Sequence, residues 1–261
     1  GDAESAIVVQ HFSADVHGGR ISGTAMIDPP APGGSREYTM NVQGAGLRLA
    51  PVLADFRGES GAGDVAPDPS RGLMDFGVSM AGRLNAPGTR RGRGTVLVGS
   101  GRVLEMPLVV SLIRLSNLQL PTDENLDYGQ ADFFISGERI ELERAWLSSP
   151  SVELYGFGTI GWPGLEADLV VRSRARGGLP LVRGVMERIR DELATASVTG
   201  TLSKPEVGVR SFGGATRLVK GMFGDTPSAE ERRLDQIMAL ARRDPRRSRE
   251  AEPGAVPSSP P

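Results

Sequence analysis

Several stretches of this chain place an apolar residue at every second position, and that period of two constrains the fold more than any other feature. In Leu165-Glu166-Ala167-Asp168-Leu169-Val170-Val171-Arg172, the residues Leu165, Ala167, Leu169 and Val171 fall on one side of an extended strand. Ile140 and Leu142 alternate with charges in Arg139–Glu143, and Val152 and Leu154 alternate in Val152–Tyr155. Turn residues punctuate these stretches. Gly and Pro supply 35 and 19 of the 261 residues, and both interrupt helices, so many short strands joined by turns are expected. Aromatic residues are 5% of the chain, so the core is expected to be built from Val, Leu, Ile and Ala.

The strand pattern runs along most of the sequence. Ala6–Pro30 reads as a hairpin turning at Gly18-Gly19. Glu37–Val42 is a further strand, and Leu47–Phe56 is a strand end entering a short helix with Pro51 in its first turn. Gly58–Gly72 and Asn85–Gly94 read as polar loops around an alternating strand at Leu73–Leu84. Thr95–Val98 and Arg102–Glu105 are short strands about a turn at Gly99-Ser100-Gly101. Gly129–Ser136, Arg139–Leu147, Val152–Ile160 and Leu165–Arg174 form a four-strand meander, and Thr195–Leu202 and Glu206–Arg210 follow with a turn at Lys204-Pro205.

Helices are expected at Pro107–Asn117, at Leu179–Ala196, where Leu181, Val185, Ile189 and Leu193 recur every four residues, and at Gly213–Phe223. Ala229–Arg243 is compatible with another. It lies in a stretch, 225–261, that is charged and Pro-rich and is expected to be a disordered tail. The basic run Arg242–Arg249 within it suits a solvated terminus or an anionic partner.

Several function classes are disfavoured. The net charge is −2, with no global basic field for nucleic acid. No run approaches about 18 consecutive apolar residues, so no helix is expected to span a bilayer. The chain does not begin with Met and is expected to be a fragment or a processed chain. Without Cys there is no disulfide, thiolate metal site or Cys nucleophile.

Gly156-Phe157-Gly158-Thr159-Ile160-Gly161 spells G-x-G-x-x-G, but Trp162-Pro163-Gly164 and another strand follow where a dinucleotide site needs a helix N-terminus. These glycines instead suit a strand that bends or is crossed closely. His11 and His17, the two histidines, would lie about 20 Å apart on an extended segment, too far for one metal. No acid–base pair or nucleophile elbow stands out. A non-enzymatic protein with no catalytic, cofactor or metal residues is expected.

Five ordered segments resemble the C-terminal region of the AsmA-like family. Gly92-Arg93-Gly94-Thr95-Val96-Leu97-Val98-Gly99-Ser100-Gly101-Arg102-Val103 is similar to its G-x-G opening, and the helix from Pro107 falls where that family has a Leu-rich helix. Phe133–Leu142 and Leu147–Ile160 resemble two of its hairpins, and Val198–Val207 resembles its closing v-x-G-t-l-x-x-P-x-v. Ser136 stands before Gly137 where an acidic residue is more usual.

The resemblance covers Gly92–Phe223. It divides the chain into β-rich units at 1–91, the AsmA-like region at 92–224 and the tail at 225–261. It implies an elongated, curved antiparallel sheet, groove-like, with a few short amphipathic helices, in the periplasm or cell envelope of a diderm bacterium. An inner-membrane anchor would lie upstream of this chain. The implied role is intermembrane phospholipid transport or outer-membrane biogenesis. Candidate groove residues binding acyl chains are Phe133, Ile135, Ile140, Leu142, Val152, Leu154, Leu165, Leu169 and Val171. The competing readings are a β-rich scaffold or protein-interaction module that binds no lipid, and a hydrolase with an unrecognised site.

Overall fold

In the computed structural model the alternating segments pair into one open sheet of eleven strands, ordered β1 to β11 as they occur in the sequence. The structure describes residues 5–30, 35–56, 72–102, 125–150, 152–175, 194–202, 204–209 and 229–243. The strands are β1 (Ile7–Val16), β2 (Gly19–Ile27), β3 (Glu37–Arg48), β4 (Leu73–Arg83), β5 (Ala86–Arg102), β6 (Asn125–Ser136), β7 (Arg139–Ser148), β8 (Val152–Gly161), β9 (Ala167–Ala175), β10 (Ala194–Thr201) and β11 (Lys204–Val209). Every pairing among these strands is antiparallel, and each strand pairs with its neighbours in sequence. Helix α1 (Leu49–Phe56) follows β3, and helix α2 (Ala229–Arg243) follows β11. The sheet is curved and groove-like, as the alternation and the resemblance lead one to expect.

Tight turns set the registers. His17 and Gly18 both take positive φ, 51° and 79°, and Val16 pairs with Gly19, so the first hairpin turns one residue earlier than Gly18-Gly19. A residue pair with positive φ matches the right-handed twist of the flanking strands. In the ladder between β3 and β4, the register shifts between Gly44 and Leu47. Asp75 Oδ1 accepts a 2.7 Å hydrogen bond from the Gly46 amide there, satisfying a donor that the bulge removes from the ladder.

Four expectations are corrected. Asn85–Gly94 is not a loop, and Gly99-Ser100-Gly101 is not a turn. Both belong to β5, a single strand of 17 residues. Its composition is poor for a strand, but β4 and β6 pair with it on both sides, and those ladders outweigh local propensity. The turn at its start is made by Asn85 with φ 60°. Lys204 and Pro205 are paired residues of β11 rather than a turn, opposite Thr201 and Gly200. The expected helix at Leu179–Ala196 stops short of its end: Ala194–Ala196 pair with Ser173, Arg172 and Val171 as the start of β10. Residues 179–193 of that helix, and those expected at Pro107–Asn117 and Gly213–Phe223, lie outside the described residues.

Within the stretch expected to be a tail, Ala229–Arg243 is a helix that packs on the sheet. Leu234, Ile237, Met238 and Ala241 are buried at helical spacing, against Tyr128, Trp146, Tyr155, Phe157 and Val170. Glu230 and Glu231 in its first turn and Arg242 and Arg243 in its last complement the helix dipole. Residues 244–261 lie outside the described residues.

Candidate functional site: the apolar face of the sheet

Residues paired directly across neighbouring strands share a face, so the ladders trace each face across the whole sheet. One face carries Ile21, Ala25 and Ile27 on β2, then Tyr38, Met40 and Val42 on β3, then Phe76, Val78 and Met80 on β4. It continues through Val96 and Val98 on β5, Ala131, Phe133 and Ile135 on β6, and Ile140, Leu142 and Leu147 on β7. It ends through Leu154 and Ile160 on β8, Ala167, Leu169 and Val171 on β9, Ala196 and Val198 on β10, and Val207 on β11. The opposite face carries Arg20, Thr24, Asn41, Gln43, Ser79, Arg93, Asp132, Arg139 and Glu141 at the intervening positions.

Three phenylalanines smooth the apolar face. Each lies across a strand from a glycine: Phe12 beside Gly23, Phe76 beside Gly44, and Phe133 beside Gly94. A Cβ at any of these glycines would meet the ring of its phenylalanine. Phe76 and Phe133 thus occupy space that a side chain on the neighbouring strand would otherwise fill. The glycine costs strand propensity, and the ring covering it restores burial.

The face is filled differently along its length. On β8–β10 it is a core: Leu154 is 4% exposed, Leu169 3% and Val198 0%. On β2–β4, Ile21, Met40, Val42, Phe76 and Val78 are half-buried. On the edge strand β1, Ile7 is 50% exposed. Helix α1 closes one end of the face, where Leu49 joins the cluster that includes Val98 and Met74. His17 Nε2 lies 2.7 Å from Asp55 Oδ2, and the His17 carbonyl accepts the Arg48 amide at 3.0 Å, which ties α1 to the first hairpin. His17 is therefore a hairpin residue with a carboxylate partner.

Of the groove residues nominated from sequence, Phe133, Ile135, Ile140, Leu142, Leu154, Leu169 and Val171 all lie on this face. Val152 holds the register position opposite Ala175, in phase with Leu154. Leu165 does not belong to the strand: it is a turn residue with φ 57°, and its carbonyl accepts the Leu202 amide. The residues of β2–β4 were not nominated, although Tyr38, Met40 and Val42 alternate as clearly as Ile140 and Leu142 do.

The G-x-G-x-x-G segment runs inside β8. Gly158 has φ 147°, and a Cβ there would strike the Asp168 carbonyl oxygen, so the glycine is required by close approach of β9. A register shift between Leu142 and Ala145 bends β7 opposite it.

The polar face holds two charged clusters. Asp132 accepts hydrogen bonds from Thr95 Oγ1 at 2.7 Å, Gln130 Nε2 at 2.9 Å and Arg144 Nε at 2.7 Å. Burial disfavours its charged form, but the bonds from Thr95, Arg144 and Gln130, with the Arg144 charge, outweigh that and hold its carboxyl below the usual carboxylate range. A shallow concavity of about 520 Å³ passes over this cluster and is lined by Asn41, Gln43, Arg93 and Arg144 among others. A carboxylate held ionised in this way is a structural anchor rather than a proton-transfer group.

The second cluster sits beneath α2. Arg172 is 6% exposed, and its Nη1 donates to Asp235 Oδ1 at 2.6 Å and approaches Met238 Sδ at 3.9 Å. Tyr155 donates to Glu153 Oε2 at 2.6 Å beside it. Arg233 lies 4.5 Å from the Phe157 ring centre and donates to the Glu143 carbonyl, so the helix is held by charge and by apolar contact. Among the described residues no three His, Asp or Glu side chains converge as metal ligands, and no helix is long and apolar enough to cross a membrane. No protein-family model, curated protein or solved structure matches this chain.

Proposed function

We propose that this chain is part of an AsmA-like envelope protein and that its apolar face holds phospholipid acyl chains during lipid transport or outer-membrane biogenesis. One observation carries the reading. Apart from Arg90 near one end and Asp127 near the other, the described side chains of the apolar face from β2 to β10 are uncharged, and on β2–β4 they are only half-buried. A monomeric protein rarely leaves a contiguous apolar surface of that extent unless something lies on it. Acyl chains would be held there by non-directional burial worth about 25 cal/mol per Å², which needs no polar motif. The reading is non-enzymatic and requires no cofactor.

The test is lipid extraction from the purified chain, followed by titration with a fluorescent fatty acid. Co-purifying phospholipid, and binding weakened by Val42→Asp or Val78→Asp, is the expected result. A chain that emerges lipid-free and leaves the probe unbound would end the conduit reading.

One observation favours a second reading, a protein-interaction module. The two edge strands differ. β11 has six residues and carries Lys204, Pro205 and Glu206, features that discourage further pairing. β1 has ten residues with no Pro or Lys, and it exposes Ile7, Val8 and Val9 by 50%, 57% and 38%. That edge suits addition of another strand. A peptide that binds β1 while the apolar face stays empty of lipid would favour this reading.

A further inference from the structure

We propose that the turn end of the apolar face, around Tyr38, Arg90 and Trp162, receives the phosphate group of a phospholipid whose acyl chains lie along the strands. The proposal rests on the acyl-chain reading above and adds an orientation and a headgroup chemistry to it.

The two ends of the face are built differently. At one end α1 packs over the strands, with Leu47 2% and Leu49 5% exposed. At the other end the described connections are short: Leu84-Asn85 between β4 and β5, Gly137-Glu138 between β6 and β7, and the turn through Trp162 between β8 and β9. A chain lying along the strands has an apolar stop at the helix end and open solvent at the turn end. Its polar end therefore belongs at the turns. Strand β4 has 11 residues. At about 3.3 Å per residue that is ample for an acyl chain spanning half of a roughly 30 Å bilayer core.

Two polar side chains of this face, Tyr38 and Arg90, sit where such a headgroup would be. From β2 to β9, Tyr38 and Ser173 are the hydroxyl-bearing residues at described positions of the apolar face, and Tyr38 is at the turn end. The Cβ direction of Gly82 reaches a point 3.1 Å from Tyr38 Oη and 3.3 Å from Arg90 Cα, so the phenol and the start of the Arg90 side chain are neighbours. Alternation from Gly92 and Gly94 puts Arg90 in phase with the apolar face. Its guanidinium lies 5.7 Å from the Trp162 ring centre.

Trp162 is 41% exposed and Leu84, on the adjoining hairpin, 40%. Arg83–Arg93 contains four arginines and no acidic residue. Arg83 is taken up by Glu37 at 3.4 Å, whereas Arg90 meets no carboxylate among the described residues. Arg91 and Arg93 fall on the opposite face, so Arg90 is the arginine of this hairpin that the apolar face presents. A guanidinium matches phosphate oxygens in a two-bond fork, and Trp and Tyr favour the boundary between apolar chains and polar headgroups.

Trp162 reports on the site. The other tryptophan, Trp146, is 5% exposed, so changes in emission and acrylamide quenching on ligand addition come from Trp162. The probes are a lysophospholipid and a monoacylglycerol with the same acyl chain, each below its aggregation threshold, and inorganic phosphate alone. The lysophospholipid is expected to bind about tenfold more tightly than the monoacylglycerol, with Trp162 emission shifting to the blue. Arg90→Gln should erase that difference, Arg93→Gln on the opposite face should leave it, and Trp162→Phe should remove the optical response.

Equal binding of the two amphiphiles, unaffected by Arg90→Gln, would overturn the headgroup site and leave the acyl-chain reading standing. If neither binds, both fall. Saturation by inorganic phosphate in competition with the lysophospholipid would show a free-anion site and overturn the lipid assignment.

Discussion

On β8–β10 the apolar face is packed shut, and the opposite face of β7–β9 is covered by α2. On β2–β4 the same apolar face is half-exposed, and the opposite face presents Arg20, Thr24, Glu37, Asn41 and Gln43 to solvent. The two regions share one strand period and one ladder. They differ in what lies above and below the sheet. Alternation therefore decides which side of a strand is apolar, but not whether that side becomes a core or a binding surface.

That contrast can be tested by truncation. Leu169→Ala, in the filled region, should cost about 3 kcal/mol in denaturant unfolding, because a tightly packed site cannot collapse around the cavity. Val42→Ala, in the half-exposed region, should cost about 1 kcal/mol or less. Equal losses would mean that both regions are packed cores. Leu234→Ala in α2 should cost about 2–3 kcal/mol and raise hydrogen exchange in β7–β9 while leaving β2–β4 unchanged.

A smaller effect is expected from Gly94→Ala. The new methyl would meet the Phe133 ring and the Gly77 carbonyl oxygen, so about 1–2 kcal/mol should be lost, and Phe133→Leu should recover part of it by making room.

Asp132→Asn should cost about 1 kcal/mol at neutral pH, after allowance for solvent screening. Its folded-state pKa is depressed, so its contribution is fully present above the unfolded value near about 4 and is lost as pH falls through the folded value. The wild type and Asp132→Asn should therefore converge in stability at acid pH. The smallest change is expected for Glu37→Gln, which removes an exposed pair with Arg83 at 3.4 Å and should alter stability by less than about 0.5 kcal/mol.

Much of the sheet was legible in the sequence because period two and Gly-rich turns are local signals. Ile140, Leu142, Leu154, Leu169 and Val171 fall on the face their alternation indicates. β5 was not legible. Its glycines and arginines read as a loop, and only pairing on both sides makes Ala86–Arg102 a strand. Leu165 keeps the parity of β9 but sits in a left-handed turn, which parity alone does not reveal. The packing of α2 was also out of reach. Leu234, Ile237, Met238 and Ala241 form a helical stripe, yet its partners Trp146, Tyr155 and Phe157 lie some 80 residues earlier on the polar side of two strands. The Arg90–Trp162 contact is hidden for a similar reason: it spans two hairpins.

The strict order β1 to β11 has a consequence for how such a protein changes length. Each strand reverses the direction of the chain. Adding or deleting one complete hairpin returns the chain to the end from which it left, so every later connection keeps its position. Adding a single strand would transfer every later connection to the opposite end of the sheet. Growth of the sheet is therefore quantised in pairs of strands. A lengthened relative of this chain should differ by whole hairpins, with its turn end and its helix end preserved.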